Sequence, residues 1–136
     1  MGDAAPLDAV TIVRDFYGKL ASEETFPEAL SLLDDDFVLH SPSGLPWGGE
    51  YRGREGFVEL MTRITGMVTP ESDGAMEFLD AGDRTVMRAT GRFVLPASGR
   101  SATTGLVEVF AVRDGKIIDM DIYYKDPATV AALVAQ

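Results

Sequence analysis

The residue that most invites a chemical reading is Glu108, set in the run Leu106-Val107-Glu108-Val109-Phe110. On a strand, Glu108 shares its face with Leu106 and Phe110, because side chains two apart point the same way. A carboxyl buried among apolar side chains is pushed toward its neutral form, since desolvation disfavours the anion. Neutral, it donates a hydrogen bond to a developing oxyanion; ionised, it acts as a base. The competing reading is structural. Glu108 would then pair with a neighbouring-strand arginine such as Arg88 or Arg92, or face a subunit contact.

His40 is the single histidine of the chain and stands at the end of a short apolar run, beside a loop rich in glycine and proline. Its imidazole is the side-chain type most suited to shuttling protons in neutral solution. It could equally be a strand-end residue bonded to backbone or solvent, turned away from the side that Leu39 and Ser41 take. Tyr124 shares a stripe with Ile118, Met120 and Ile122. A phenol in such surroundings seeks a partner, and a Tyr124–Glu108 hydrogen bond would make a polar focus in an apolar wall. Otherwise Tyr124 caps the core. Asp119, Asp121 and Tyr123 take the opposite face of that strand, as surface or interface residues. Trp47, the single tryptophan, lies in Leu45-Pro46-Trp47-Gly48-Gly49, either closing over a ligand or plugging loop to core.

Other chemistries are excluded by composition. The chain has no cysteine, so disulfides, thiolate nucleophiles and cysteine-based zinc sites are out, and one histidine does not suggest a metal centre. No cofactor is implied: the glycines near Trp47 precede no lysine, and no GxSxG elbow occurs. A formal net charge of −10 repels nucleic acid and anionic lipid surfaces alike. Met1-Gly2-Asp3-Ala4-Ala5-Pro6 shows no basic segment followed by an apolar run, and no stretch is apolar enough to span a bilayer. A cytoplasmic protein is the expectation.

The elements that must position these residues can be read from periodicity. Val10, Val13, Phe16, Tyr17 and Leu20 have helical spacing over residues 7–20, and a shorter helix starts near Thr25 with Pro27 in its first turn. Asp34-Asp35-Asp36 suits a solvated turn after that helix. A short strand at 37–40, a loop at 41–51 and a helix over about 54–67 follow. Strands are expected at 75–80, 84–95, 101–112 and 116–124, joined by short glycine-bearing turns that make antiparallel hairpins. Asp126-Pro127 reads as the cap and first residue of a tail helix reaching Gln136. Residues 1–136 show no repeat or linker and are expected to form one domain. Helices followed by a meander give an α+β fold with helices on one face of the sheet. The expected strand 101–112 is apolar on both faces, so a homodimer through the sheet is expected to cover the second.

Several strings together carry a resemblance: Val13-Arg14-Asp15-Phe16-Tyr17, Leu32-Leu33-Asp34-Asp35-Asp36-Phe37-Val38-Leu39-His40-Ser41-Pro42, Tyr51-Arg52-Gly53-Arg54-Glu55-Gly56-Phe57 and Asp114-Gly115-Lys116-Ile117-Ile118. Over residues 7–124 the chain resembles the nuclear transport factor 2-like (NTF2-like) superfamily, and within it SnoaL-like and ketosteroid isomerase-like proteins. That resemblance implies a cone, in which a curved antiparallel or mixed sheet wraps the N-terminal helices and its open end admits a ligand. The superfamily includes isomerases, polyketide cyclases, epoxide hydrolases, dehydratases and non-catalytic binding modules, so the fold alone assigns no reaction. The isomerase pattern places its hydrogen-bonding acid at Glu108, its general base at Ser41 and its oxyanion-hole tyrosine at Phe16, one residue from Tyr17. Serine and phenylalanine at those positions disfavour classical steroid isomerisation. Epoxide hydrolases of this fold place an aspartate where Ile122 stands.

The leading expectation is a SnoaL-like enzyme doing cofactor-free acid/base chemistry (isomerisation, cyclisation, hydration or dehydration) on a hydrophobic oxygenated molecule. Glu108 would be the principal group, with His40, Tyr124 and Ser41 secondary. Phe16, Tyr17, Trp47, Leu60, Met61, Met87, Leu106, Met120 and Ile122 would shape the pocket. The alternative is a non-catalytic module that binds a hydrophobic ligand or dimerises.

Overall fold

Asp8 opens the first helix because its side chain can satisfy a first-turn N–H that has no partner inside the helix. In the computed structural model, which describes residues 8–135, Asp8 Oδ1 accepts from Thr11 N at 2.8 Å and helix α1 runs Ala9–Leu20. The start expected at Leu7, the N-terminal segment before it and the tail's end at Gln136 lie outside the described residues. Helix α2 (Phe26–Ser31) carries Pro27 in its first turn.

Strand β1 (Leu33–Ser41) begins earlier than its apolar run suggests and absorbs the acidic triplet, which is therefore no free turn. The pairing of β1 with its neighbour is irregular between Leu33 and Val38, which gives the three carboxylates room to leave the sheet. Asp34 Oδ1 accepts from Asp36 N at 2.9 Å, and Asp35 Oδ1 accepts from Arg54 Nη1 at 2.7 Å. The same guanidinium donates to the carbonyls of Leu30 and Leu33, so one arginine ties three segments together. Its hydrogen bond and charge hold the Asp35 carboxyl below the usual carboxylate range.

The last three residues of the expected loop join Arg52 to pair with β1 as strand β2 (Gly49–Arg52), and helix α3 follows directly (Gly53–Met67). Strand β3 (Thr69–Asp80) starts six residues before its expected position at 75. It is an edge strand, where Pro70 can sit without depriving a central ladder of an N–H. Strands β4 (Thr85–Val94), β5 (Ser101–Arg113) and β6 (Lys116–Tyr124) match the hairpin reading. Asp114 and Gly115 both have positive φ, 52° and 78°, as a two-residue hairpin turn between paired Arg113 and Lys116 requires. Helix α4 (Pro127–Val134) is capped by Asp126, whose side chain accepts from Thr129 N.

The sheet order is β2-β1-β6-β5-β4-β3, with β1 parallel to β6 and every other neighbour antiparallel. Its inner face packs on the helices through Phe37, Leu39, Met87, Phe93, Phe110 and Met120. One detail departs from simple alternation. The β5–β6 register shifts between Ala111 and Val112, so Ile117, and not Ile118, is the fully buried residue at the start of β6.

Candidate functional site

Alternation along β5 puts Glu108 on the inner face, opposite Met87 of β4 and Ile122 of β6. Two adjoining hollows of about 350 and 180 Å³ lie there, and both are lined by Glu108, Tyr17, Tyr124, Met61 and Ile64. Met87, Leu106 and Phe93 complete the apolar wall of the larger hollow, while Leu39, Trp47, Leu60, Met120 and Ile122 complete that of the smaller. No lysine, arginine or histidine lines either hollow among the described residues.

Glu108 Oε1 is shut off from solvent and has no hydrogen-bond partner. Burial alone pushes its carboxyl up from 4.5 to about 8, so it is largely the neutral acid at pH 7. The ion pair with Arg88 or Arg92 that the competing structural reading offers is not formed. Both arginines lie across from β3 carboxylates, Arg88 Nε at 3.0 Å from Glu77 and Arg92 Nη1 at 2.6 Å from Glu71. Their register explains it: Arg88 faces Val107 on β5, one residue out of step with Glu108.

Hydroxyl groups of Tyr17, Ser41 and Tyr124 belong to residues that line this space. Tyr17 Oη is buried without a partner. The roughly 100° turn per helical residue places Phe16 elsewhere: it packs in the core against Phe57 and Phe110, at 5.5 and 6.4 Å between ring centroids, and lines neither hollow. The pocket role expected of Phe16 is therefore corrected, and Tyr17 is the α1 ring that faces the hollows. Leu20, nearly one helical turn beyond Tyr17, also lines the smaller hollow. Ser41, 9% exposed, lines the smaller hollow beside Leu39. Tyr124 does not bond Glu108; its oxygen accepts from Trp47 Nε1 at 3.2 Å. Burial drives the Tyr124 phenol up to about 12, with the Trp47 bond pulling it down and the nearby Glu108 pushing it up. With its oxygen engaged by Trp47, Tyr124 still has its own proton to donate into the cavity.

Trp47 reaches Tyr124 because its loop is tightly folded. A Cβ on Gly48 would fall on the Pro42 carbonyl oxygen. Tyr51 donates to the Trp47 carbonyl at 2.9 Å. The indole is 1% exposed and packs against Phe93, which stacks on Tyr124 with centroids 5.5 Å apart. Trp47 is thus a fixed wall and not a cover over the mouth. Gly48→Ala is expected to cost about 1–3 kcal/mol, the usual penalty for forcing atoms into filled space, and urea melts would measure it.

His40 stands apart. It is on the other face of β1, with Nε2 3.0 Å from Asp119 Oδ1 and Nδ1 3.4 Å from Glu50 Oε1, and it lines neither hollow. Strand alternation, which turns Leu39 and Ser41 inward, turns His40 out, so it cannot reach a group held at Glu108. Asp121, from its face of β6, accepts from Tyr123 Oη at 2.6 Å. Among the described residues no histidine, aspartate and glutamate side chains are grouped to hold a metal ion. No helix among them is long and apolar enough to cross a membrane. Ile64 and Phe93 line the cavity without having been singled out from sequence, because contact across α3 and β4 defines them.

This architecture matches solved structures along nearly its whole length. An NTF2-like protein of unknown function from Burkholderia pseudomallei K96243 is 24% identical, covers 93% of this chain and 96% of its own, and superposes with a TM-score of 0.79. An NTF2-like protein from Burkholderia xenovorans LB400 is 21% identical over 98% of this chain and 100% of its own, with a TM-score of 0.80. A protein from Xanthomonas campestris pv. campestris, provisionally named a polyketide cyclase, is 21% identical over 94% of this chain and 95% of its own, with a TM-score of 0.69. At these identities the likeness is one of fold. No curated protein sequence matches the chain. The model of the SnoaL-like domain family matches residues 13–120, which span α1 through most of β6. With that share of its length matched and the same helix-lined sheet, the chain belongs to the SnoaL-like family.

Proposed function

We propose that the whole chain is one SnoaL-like domain acting as a small-molecule enzyme, with cofactor-free acid/base chemistry on a hydrophobic, oxygenated substrate. The observation that carries this reading is the Glu108 carboxyl in the wall of the cavity, with Oε1 shut off from solvent and without a hydrogen-bond partner. A structural carboxyl would be bonded, because an unsatisfied buried polar group is costly. Held neutral, Glu108 gives its proton to a substrate oxygen while Tyr17 and Tyr124 donate to the same region. The carboxylate that results then takes a proton from an adjacent carbon. One proton leaves the residue and one returns, which serves keto–enol isomerisation, aldol-type ring closure or loss of water from a β-hydroxy ketone. Ser41 orients the substrate from the smaller hollow. The name of the Xanthomonas relative points to cyclisation within this group of reactions.

The test uses 2-tetralone, an apolar bicyclic ketone, in heavy water. Wild type is expected to accelerate exchange of the α-hydrogens followed by NMR, and Glu108→Gln to lose at least about 100-fold of that acceleration while keeping its circular dichroism. An active Glu108→Gln protein removes the mechanism. Tyr17→Phe is expected to lower the rate about tenfold, as loss of one hydrogen bond to a charged oxygen does.

A second reading has its own support. Besides Glu108 the only carboxyl that the larger hollow meets is that of Glu71, which Arg92 holds at 2.6 Å, and no cation or imidazole lines either hollow among the described residues, so a binding module without turnover fits the same walls. Binding of the ketone to wild type with no exchange would favour it. We also propose a homodimer through the outer face of the sheet, where Val107 and Val109 are only half-buried and Tyr123 is 54% exposed. Light scattering at micromolar concentration should give twice the 14.7 kDa chain mass, and a monomer overturns the interface.

A further inference from the structure

We infer that the molecule bound in the cavity carries an anionic group at the end remote from Glu108, and that Arg14 receives it. This inference rests on the cavity being a small-molecule site, as proposed above. A surface cleft of about 540 Å³ lies beside the larger hollow, and Met76, Ala89 and Thr90 line both. Arg14 lines this cleft from α1. Arg14 and Tyr17 are three residues apart, about 4.5 Å along the helix axis and on neighbouring rows of one face. The ring of Phe78 bridges them, lying 5.1 Å from the Arg14 guanidinium carbon and 5.8 Å, centroid to centroid, from Tyr17. Phe78 thus links a cavity-facing hydroxyl on one side to an exposed cation on the other.

Arg14 differs from the other arginine of the cleft. Arg88 is neutralised by Glu77 at 3.0 Å. Arg14 has no ion pair within 4 Å and no side-chain hydrogen bond among the described residues; Asp8 feels its charge, but Asp8 is already the cap of α1. Stacking on Phe78 fixes the guanidinium by its flat side, which leaves its edge N–H groups free for a planar or tetrahedral anion. In a chain of net charge −10, an arginine with no carboxylate partner among the described residues, at the edge of a cavity that none of their cations lines, would favour an acid over a neutral analogue. The ligand class is therefore an apolar, ring-bearing acid, such as a carboxylate or sulfonate, whose ring system lies in the cavity.

Two fluorescent probes that differ by one group test this: 1-anilinonaphthalene-8-sulfonate and N-phenyl-1-naphthylamine, which lacks the sulfonate. Wild type is expected to bind the sulfonate about tenfold more tightly at low salt, to lose most of that preference in high salt, and to let each probe displace the other. Arg14→Gln should weaken the sulfonate about tenfold and leave the amine within twofold, with Arg14→Lys between. Equal affinities in wild type, or an Arg14→Gln protein that keeps its preference, would overturn the role of Arg14 while the amine's binding sustains the cavity. Failure of wild type to bind either probe would overturn both.

Discussion

Glu108→Gln is expected to unfold with the same free energy as wild type at pH 4 and to be several kcal/mol more stable at pH 9. The folded carboxyl titrates at about 8 because burial penalises its anion, whereas the unfolded one titrates near 4.5. Below pH 4.5 both states hold the proton and the residue adds no pH dependence. Between the two values the folded chain binds more protons than the unfolded one, so stability falls as pH rises, and above about 8 the whole penalty has been incurred. The interval from 4.5 to about 8 corresponds to roughly 5 kcal/mol at about 1.4 kcal/mol per pH unit, a ceiling that relaxation around the anion will reduce. Glutamine keeps the shape and never ionises, so the penalty vanishes. Urea unfolding of both proteins at pH 4, 7 and 9 measures it, and two curves that stay parallel would mean the carboxyl finds water or a partner. The same titration governs chemistry: if Glu108 works as an acid, α-hydrogen exchange of the ketone should decline above pH 8.

The second large effect concerns Trp47. Trp47→Ala should lower stability by about 3–5 kcal/mol, since truncating a buried aromatic loses both burial and close contact. In a chain of this size that corresponds to a fall of roughly 10 °C or more in Tm. The indole packs on Phe93, bonds Tyr124 and walls the smaller hollow, so its loss also releases the Tyr124 ring from a defined position. Trp47→Phe separates the two roles. It keeps most of the packing and should cost about 1 kcal/mol for the missing N–H donor, yet it leaves Tyr124 without its orienting bond. Differential scanning calorimetry gives the first effect. A drop in the ketone exchange rate of Trp47→Phe, at unchanged fold, gives the second.

Both predictions depend on features of unequal visibility in the sequence. Helical spacing from Val10 to Leu20, the Asp114-Gly115 turn and the apolar alternation around Glu108 are local, because a side chain's period and a turn's φ angles depend on residues a few positions away. From them alone the α+β class, the strands β4 to β6 and the apolar face that Glu108 shares with Leu106 and Phe110 follow. The resemblance to SnoaL-like proteins, carried by four short strings, agrees with the family match over residues 13–120. Long-range contact decided the rest. Strand β2 exists because Gly49–Arg52 finds β1, a pairing its own residues do not announce. Arg54 draws Asp35 out of the entry to β1, and a register shift opposite Val112 swaps Ile117 for Ile118 in the core. Trp47 becomes a wall because Tyr51, Phe93 and Tyr124 converge on it from three strands. Tyr17 faces the hollow while Phe16 does not, because the orientation of α1 over the sheet selects between neighbouring positions on one helix. A sequence determines which faces are apolar; only the packed chain determines which face meets which, and therefore which hydroxyl stands beside the acid.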